Sequence, residues 1–147
     1  MQTIRKILSE KGSDVWSTTP NATVYEALQI MAEKDVGALP VLENGKLVGI
    51  FSERDYARKV ILLGKTSKRT FVREIMTPHV VYITPDMTND QSLAIMSARR
   101  IRHLPVMESE EMVGMVSIGD LVRSIISEQK EMITQLEQYI LHYTSIT

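Results

Sequence analysis

Apolar and polar residues follow the same order of predicted elements twice along this chain. Each pass opens with a short β-rich run, Asp14–Thr18 or Val80–Ile83, which ends at a Thr-Pro step because proline cannot continue a strand ladder. A capping pattern then opens a helix, Thr-x-x-Glu at Thr23 and Thr-x-x-Gln at Thr88. Apolar residues at helical spacing after each cap predict an amphipathic helix in both passes.

These two helices are predicted to end near Asp35 and Arg100, and two apolar runs follow each of them. In the first pass the runs flank an Asn-Gly step at 44–45, the strongest short signal for a β-hairpin. The second pass has Glu-Ser-Glu-Glu at 108–111, which lacks this turn signal. A helix closes each pass, and the predicted order is therefore β-α-β-β-α, an α+β fold.

The two passes are copies of one unit. Shifting the sequence by 65 positions aligns residues 19–61 with 84–126 without a gap, and 16 of the 43 aligned pairs are identical. The longest shared patterns are Leu-Pro-Val at 39–41 and 104–106 and Gly-φ-φ-Ser-x-x-Asp (φ apolar) at 49–55 and 114–120. Since a unit of this size buries only about 60% of its unfolded surface, we expect the two repeats to pack together about a pseudo-twofold axis.

Further elements flank the repeats. An N-terminal helix carries Ile4, Ile7 and Leu8 on one face, and a short helix is predicted at Val72–Met76. The last helix continues past the repeat with a 3-4-3-4 apolar seam that indicates self-association or docking on a partner: Val122, Ile125, Gln129, Met132, Leu136, Tyr139 and Tyr143. The predicted divisions are 1–64 for the N-terminal helix and first repeat, 65–78 for a linker, 79–127 for the second repeat and 128–147 for a helical extension.

Composition narrows the classes of function. The net charge of −1 at pH 7 gives no global attraction to nucleic acid or to an anionic membrane. The chain has no cysteine, which excludes thiolate catalysis and cysteine zinc sites, and its three histidines lack metal-ligand spacing. No apolar run approaches the roughly 18 residues of a membrane span, and the N-terminus does not resemble a signal peptide, so a cytoplasmic location is expected.

With both Gly-φ-φ-Ser-x-x-Asp and both Leu-Pro-Val blocks in register, the chain resembles a tandem pair of cystathionine-β-synthase-type (CBS) domains, also called a Bateman module, over roughly Asp14 to Ile126. The resemblance implies a regulatory module that is not an enzyme and that binds an adenosyl ligand such as AMP, ATP or NAD(H) between the repeats. It further implies a sensor of energy or redox state that works as a homodimer and acts in trans on a regulated protein.

The resemblance also implies two sites, in which the motif aspartate holds the ribose hydroxyls and the serine helps with ribose or phosphate. One site would comprise Ser117, Asp120, Met115, Val15, Trp16, Val36, Gly37 and Ala38. The other would comprise Ile50, Ser52, Arg54, Asp55, Val80, Val81, Ile101, Arg102 and His103. Because the second set is richer in cationic groups, the two sites are expected to differ in phosphate affinity.

A plainer interpretation is that each Ser-x-x-Asp only caps a helix. Against it, the first helix of each repeat uses a longer Glu or Gln in its capping box, and the shorter aspartate is expected to be less suited to reaching back to the cap amide. Serine and aspartate also persist through a duplication that changed both residues between them.

Two other functions stay open. A nucleotide-handling enzyme is disfavoured because no carboxylate cluster, Ser-His pair or phosphate-binding glycine loop is recognisable. A nucleic-acid-binding protein would use the basic residues at 65–69 and 99–102, but the near-neutral net charge disfavours it.

Overall fold

The structure, a computed structural model, describes residues 1–146, with side chains described as far as residue 143. It is a mixed helix-and-sheet fold with two small antiparallel sheets, β1 with β2 and β3 with β4. The elements follow in the order α1 (Ile4–Lys11), α2 (Val24–Lys34), β1 (Ala38–Glu43), β2 (Lys46–Ser52), α3 (Glu53–Tyr56), a π-helical turn (Ala57–Ile61), α4 (Val72–Ile75), α5 (Asn89–Arg99), β3 (His103–Glu108), β4 (Glu111–Ser117) and α6 (Ile118–Ile146).

The chain divides into two compact units. The first-repeat unit contains Asp14–Tyr82 and Met107–Gly114. The second-repeat unit contains Met1–Ser13, Ile83–Val106 and the chain from Met115 onward. Helix α1 therefore packs in the unit of the second repeat.

The first-repeat unit is held together by a core shared between helices and hairpin. Helix α2 buries Val24, Ala27 and Met31 and is capped at both ends, by the Thr23 hydroxyl at its start and by left-handed Asp35 at its end. The fully or almost fully buried members of this core are Val24, Ala27, Met31, Leu39, Val41, Phe51, Val60, Val72 and Ile75. The predicted helices and hairpin of this repeat are thus confirmed, including the short helix α4.

Both hairpins turn through two residues with positive φ, the geometry of a type I′ turn. In the first hairpin these are Asn44 (φ 52°) and Gly45 (φ 77°), as the Asn-Gly signal predicts. In the second they are Ser109 (φ 53°) and Glu110 (φ 67°), which explains why that turn is hard to recognise from sequence. The duplicated turn has kept its shape without its glycine.

The strands predicted at Asp14–Thr18 and Val80–Ile83 are wrong as strands, because each run forms only one parallel bridge, Thr18 with Val41 and Ile83 with Val106. The Thr18 amide donates to Pro40 O at 3.0 Å, and Leu42 N donates to Thr18 O at 2.9 Å. Extending this ladder in either direction would need an N–H from Pro40 or Pro20, which proline lacks.

An equivalent pair of prolines limits the second run, where the Ile83 amide donates to Pro105 O at 3.0 Å. Further pairing would need an N–H from Pro105 on one side or from Pro85 on the other. Each repeat therefore keeps a single bridge where the sequence predicts a strand.

The second-repeat unit joins α1, α5 and α6 around a buried polar cluster. Ile4, Ile7 and Leu8 of α1 are buried, as predicted. Asn89, at the start of α5, donates its side-chain N–H to Ser124 Oγ of α6 at 3.0 Å and its backbone N–H to Gln2 O at 2.9 Å. This cluster fixes the beginning of α1 against both helices.

Helix α6 runs well past the repeat, as the apolar seam predicts. From residue 129 to 143 every residue is exposed, including Met132 (63%), Leu136 (56%) and Tyr139 (67%). The rings of Tyr139 and Tyr143 stack with centroids 6.4 Å apart. Among the described residues, no helix is both long enough and apolar enough to span a membrane.

Candidate functional site

The first Ser-x-x-Asp stands where β2 ends and α3 begins. Ser52 has extended backbone (φ −124°, ψ 165°), and its hydroxyl accepts from the Asp55 amide at 3.2 Å. The Asp55 carboxylate accepts in return from the Ser52 amide at 2.9 Å, which completes a capping box. The expectation that aspartate is less suited to reaching back is therefore wrong, because both motif aspartates accept from the amide of their cap serine.

Asp55 also accepts from two further groups through its other oxygen. Lys59 Nζ lies 3.0 Å from Asp55 Oδ1, and the Thr77 hydroxyl donates to the same atom at 3.5 Å. Lys59 Nζ also donates to Ile75 O at 3.1 Å. Asp55 is only 7% exposed, so this carboxylate is buried and surrounded by donors.

The motif needs glycine at position 49 because another segment of the chain passes close to its backbone there. A Cβ on Gly49 would lie 2.6 Å from Met76 Sδ and 3.1 Å from Thr77 O. That approach lets Ile50 and Thr77 exchange backbone hydrogen bonds of 3.0 and 2.8 Å, which brings the Thr77 hydroxyl to Asp55. The motif glycine thus positions the segment that completes the carboxylate's surroundings.

The second motif repeats the capping geometry with different counterions. The Ser117 amide donates to Asp120 Oδ2 at 2.8 Å, and the Asp120 amide donates to Ser117 Oγ at 3.2 Å. Lys11 of α1 donates to Asp120 Oδ2 at 2.6 Å, and Arg123 donates to Asp120 Oδ1 at 2.8 Å. Lys11 Nζ also donates to Met115 O at 2.6 Å.

These contacts set the charge of the second site. Burial raises the pKa of Asp120, but hydrogen bonds from Lys11 and Ser117 outweigh it and lower the pKa below its ordinary value. Burial lowers the pKa of His103, and the nearby Lys11 and Arg102 charges lower it further against the opposing effect of Asp120. Near pH 7 the second repeat therefore presents an ionised Asp120 near a neutral His103, a residue that is predicted for the Asp55 site.

Each motif also contacts the start of the Leu-Pro-Val strand in its own repeat. The Glu53 amide donates to Gly37 O at 3.1 Å, and Ala38 pairs with Ser52 between β1 and β2. In the second repeat the Ile118 amide donates to Arg102 O at 2.9 Å. The assignment of residues 36–38 to the Asp120 site, and of residues 101–103 to the Asp55 site, stays a prediction.

The remaining predicted residues lie in the first-repeat unit. Trp16 is 44% exposed, and Lys34 Nζ lies 4.2 Å from its ring centroid, a cation–π contact. Val15, Val80 and Val81 are half-buried, and Arg54 is exposed. The three valines and Arg54 therefore keep part of their surface in solvent, whereas one face of the Trp16 ring is covered.

Sequence reasoning missed the cations that contact the two aspartates. Lys59 follows Asp55 by four residues, a spacing at which helical ion pairs form, so this contact was recognisable in principle. Lys11 and Asp120 are 109 positions apart, and no local pattern connects them. Among the described residues, no group of three or more His, Asp or Glu could hold a metal ion.

Comparisons with known proteins agree with the repeat. The CBS domain family model matches residues 4–61 and 72–127. The mitochondrial CBS domain-containing protein CBSX3 of Arabidopsis thaliana is 43% identical over 137 residues, covering 90% of this chain and 66% of its own length. The chain thus spans about two thirds of that relative.

Two solved structures extend the comparison. A protein with CBS domains from Burkholderia ambifaria is 44% identical, with a TM-score of 0.84 over 87% of this chain and 96% of that one. The CBS domain pair of the protein MJ0100, solved with 5′-methylthioadenosine and S-adenosyl-L-methionine, is 27% identical, with a TM-score of 0.75 over 84% of this chain and 99% of that one. Sequence, duplicated motifs and fold agree, and the chain belongs to the CBS domain family, with two tandem copies.

Proposed function

We propose that this chain is a regulatory module that binds an adenosyl ligand through Asp55 and Asp120. The observation that carries the proposal is that the two carboxylates have the same kind of surroundings. Each is held at a helix start by its own serine, is mostly buried, and is surrounded by donors. The two hydroxyls of a ribose are neutral donors, and an ionised carboxylate can accept a hydrogen bond from each of them. Such charge-assisted bonds are worth about 1.5 to 3 kcal/mol each.

The ligand class is supported by chemistry and by a relative. The MJ0100 domain pair, a structure of similar fold, was solved with two adenosyl compounds. We propose AMP, ATP or NAD(H) as the ligand here, because cationic and imidazole groups at Arg54, Arg102 and His103 could contact phosphate oxygens. S-adenosyl-L-methionine belongs in the same test, since it shares the adenosyl part.

We propose the same two sets of site residues that the resemblance implies. Ser117, Asp120 and Met115 would contact ribose and neighbouring ligand groups, with Val15, Trp16, Val36, Gly37 and Ala38 framing the base. Ser52, Asp55, Ile50 and Arg54 would do the same in the second group, with Val80, Val81, Ile101, Arg102 and His103. In each group the aspartate is the residue on which ribose recognition depends.

We propose that ligand binding exerts its regulatory effect through a complex of this chain with other chains. A ligand shifts a conformational equilibrium only through different affinity for two states, so its effect must reach another chain to act in trans. We propose a homodimer in which α6 pairs with α6 of a second copy, because Met132, Leu136, Tyr139 and Tyr143 recur at the alternating three- and four-residue spacing of a helical seam. The cytoplasmic location stays a prediction, since the plant relative is described as mitochondrial.

Calorimetric titration tests the ligand directly. AMP, ATP, NAD, NADH and S-adenosyl-L-methionine are titrated into the wild-type protein, Asp55→Asn and Asp120→Asn. Asparagine keeps a side-chain oxygen for the serine amide, so the helix cap persists while the charge is removed. Each variant is expected to weaken one class of site about tenfold or more, as the loss of one charge-assisted bond requires.

The matched control is Glu74→Gln, since Glu74 accepts from the Phe71 amide at 2.7 Å at the start of α4 and lies outside both proposed sites. It should leave every titration unchanged. Wild-type binding that survives unaltered in both aspartate variants would overturn the assignment. An enzymatic alternative would require turnover of a labelled nucleotide by the pure protein, and we expect none.

A further inference from the structure

Helix α1 lies outside the duplicated segment, yet its last residue contacts the motif aspartate of the second repeat. Lys11 Nζ donates to Asp120 Oδ2 and to Met115 O, both at 2.6 Å. The Lys11 side chain is 37% exposed, and the Asp120 side chain is 10% exposed. The Lys11 side chain is therefore partly in solvent, whereas the carboxylate that it contacts is nearly buried.

The duplication explains why this lysine comes from so far away. In the first repeat, Asp55 pairs with Lys59 one helical turn later. The equivalent position in the second repeat is Ser124, whose hydroxyl bonds with Gln2 and Asn89 inside the polar cluster. The second aspartate thus lacks a lysine at that position, and α1 supplies the ammonium instead.

The carboxylate oxygens of Asp120 can accept only a limited number of hydrogen bonds. Each oxygen has about two lone-pair sites, and Oδ2 already accepts from the Ser117 amide and from Lys11. Oδ1 accepts from Arg123, whose side chain is 73% exposed. A diol that engages both oxygens must replace one donor on Oδ2, and the Ser117 amide is fixed because it belongs to the helix cap.

We propose that Lys11 is a tethered counterion that competes with ribose for Asp120, so that ligand binding releases the end of α1. This inference rests on the proposed function. Lys11 is already partly in water, so it can leave without exposing a buried charge, whereas Asp120 exchanges one set of donors for another. The beginning of α1 stays fixed, because Gln2 O still accepts from the Asn89 amide at 2.9 Å. Residue 11 is then the part of α1 that reports whether the site is occupied.

The first experiment measures competition. Lys11→Met keeps the length and apolar stem of the side chain and removes its charge, and Lys6→Met is the matched control on the same helix. Both are made in the Asp55→Asn background, so that only the Asp120 site is measured. With AMP and S-adenosyl-L-methionine as probes, Lys11→Met should tighten binding about two- to fivefold, the effect expected for a partly exposed ion pair.

Unchanged or weaker binding by Lys11→Met would overturn the proposal, the latter result making Lys11 a direct ligand contact. Thermal unfolding of each variant shows whether the substitution has altered the fold. A second measurement needs no substitution at residue 11: acetylation of each lysine by acetic anhydride, read by peptide mass spectrometry. Lys11 should react more slowly than Lys6 in the ligand-free protein, and several-fold faster when Asp120 is changed to Asn or when AMP or S-adenosyl-L-methionine saturates the site.

These two experiments distinguish a failure of the proposed function from a failure of the counterion role of Lys11. If no probe binds any variant while Lys11 remains protected by Asp120, the proposed function fails and displacement by a ligand fails with it. If the probes bind but Lys11 reactivity does not change on binding, only the counterion role is overturned.

Discussion

Two aspartates in this protein perform one structural task in the same way and differ in their partners. Asp55 and Asp120 each accept a backbone hydrogen bond from the serine three residues earlier. Capping and ligand binding are therefore compatible, because the cap serine donates to Oδ2 of each carboxylate and leaves Oδ1 for cations or hydroxyls. The difference lies in the ammonium groups, since Lys59 is local and Lys11 comes from another helix.

At the same scale, His103 should make stability depend on pH. Because its folded pKa is lowered, the unfolded state binds the proton more readily. Stability should be full above the unfolded value of about 6.5 and should decrease as pH falls toward the folded pKa. His103→Gln is expected to flatten the dependence of the urea midpoint on pH in this window, with His79→Gln as the exposed control. An equally steep dependence in His103→Gln would contradict this account of the site.

At the scale of elements, the two hairpins form a natural comparison. Both use a turn with two positive φ angles, but only the first has glycine in the second position. A non-glycine residue in left-handed backbone costs about 1 to 2 kcal/mol. The second hairpin thus retains a local strain that the first avoids.

Glu110→Gly should therefore raise the free energy of unfolding, by up to about 1 kcal/mol after allowing for the added freedom of the unfolded chain. Gly45→Ala, at the equivalent place in the other hairpin, should lower it by a similar amount. Denaturant titration of both variants measures the change. A destabilised Glu110→Gly protein would show that the glutamate side chain stabilises the turn.

Elements differ in how far the sequence predicts them. The Asn-Gly hairpin, the helix caps and α4 follow from local patterns and are recovered. The first strand of each repeat shortens to one bridge, because its length depends on prolines at positions 40 and 105 of a partner strand. The Lys11 contact is likewise invisible in sequence, since its two residues are 109 positions apart.

At the scale of the whole molecule, the extension of α6 beyond residue 126 has no counterpart in the first repeat. The described residues 129–143 form about four exposed turns with apolar side chains on one side. In a parallel pair of such helices the residues that flank the seam include Ile133, Gln135 and Ile140, which carry no charge and so do not repel a second copy. Helix α6 would then connect two ligand-binding chains in one dimer.

Leu136→Glu is expected to shift the protein to a lower mass in light scattering after size exclusion, because it places a charge within the seam. Gln138→Glu adds the same charge on the opposite face and should leave the mass unchanged. A monomeric wild-type protein, or an unchanged mass for Leu136→Glu, would refute α6 as the self-association surface.

The central claim is that Asp55 and Asp120 hold adenosyl ligands, and native mass spectrometry tests it most directly. The purified protein is measured alone and with added AMP, NAD or S-adenosyl-L-methionine, beside the double variant Asp55→Asn/Asp120→Asn. We predict mass increments of an adenosyl compound on the wild-type protein and their loss from a folded double variant. Wild-type protein that takes up none of these compounds, or a double variant that retains them, would contradict the account.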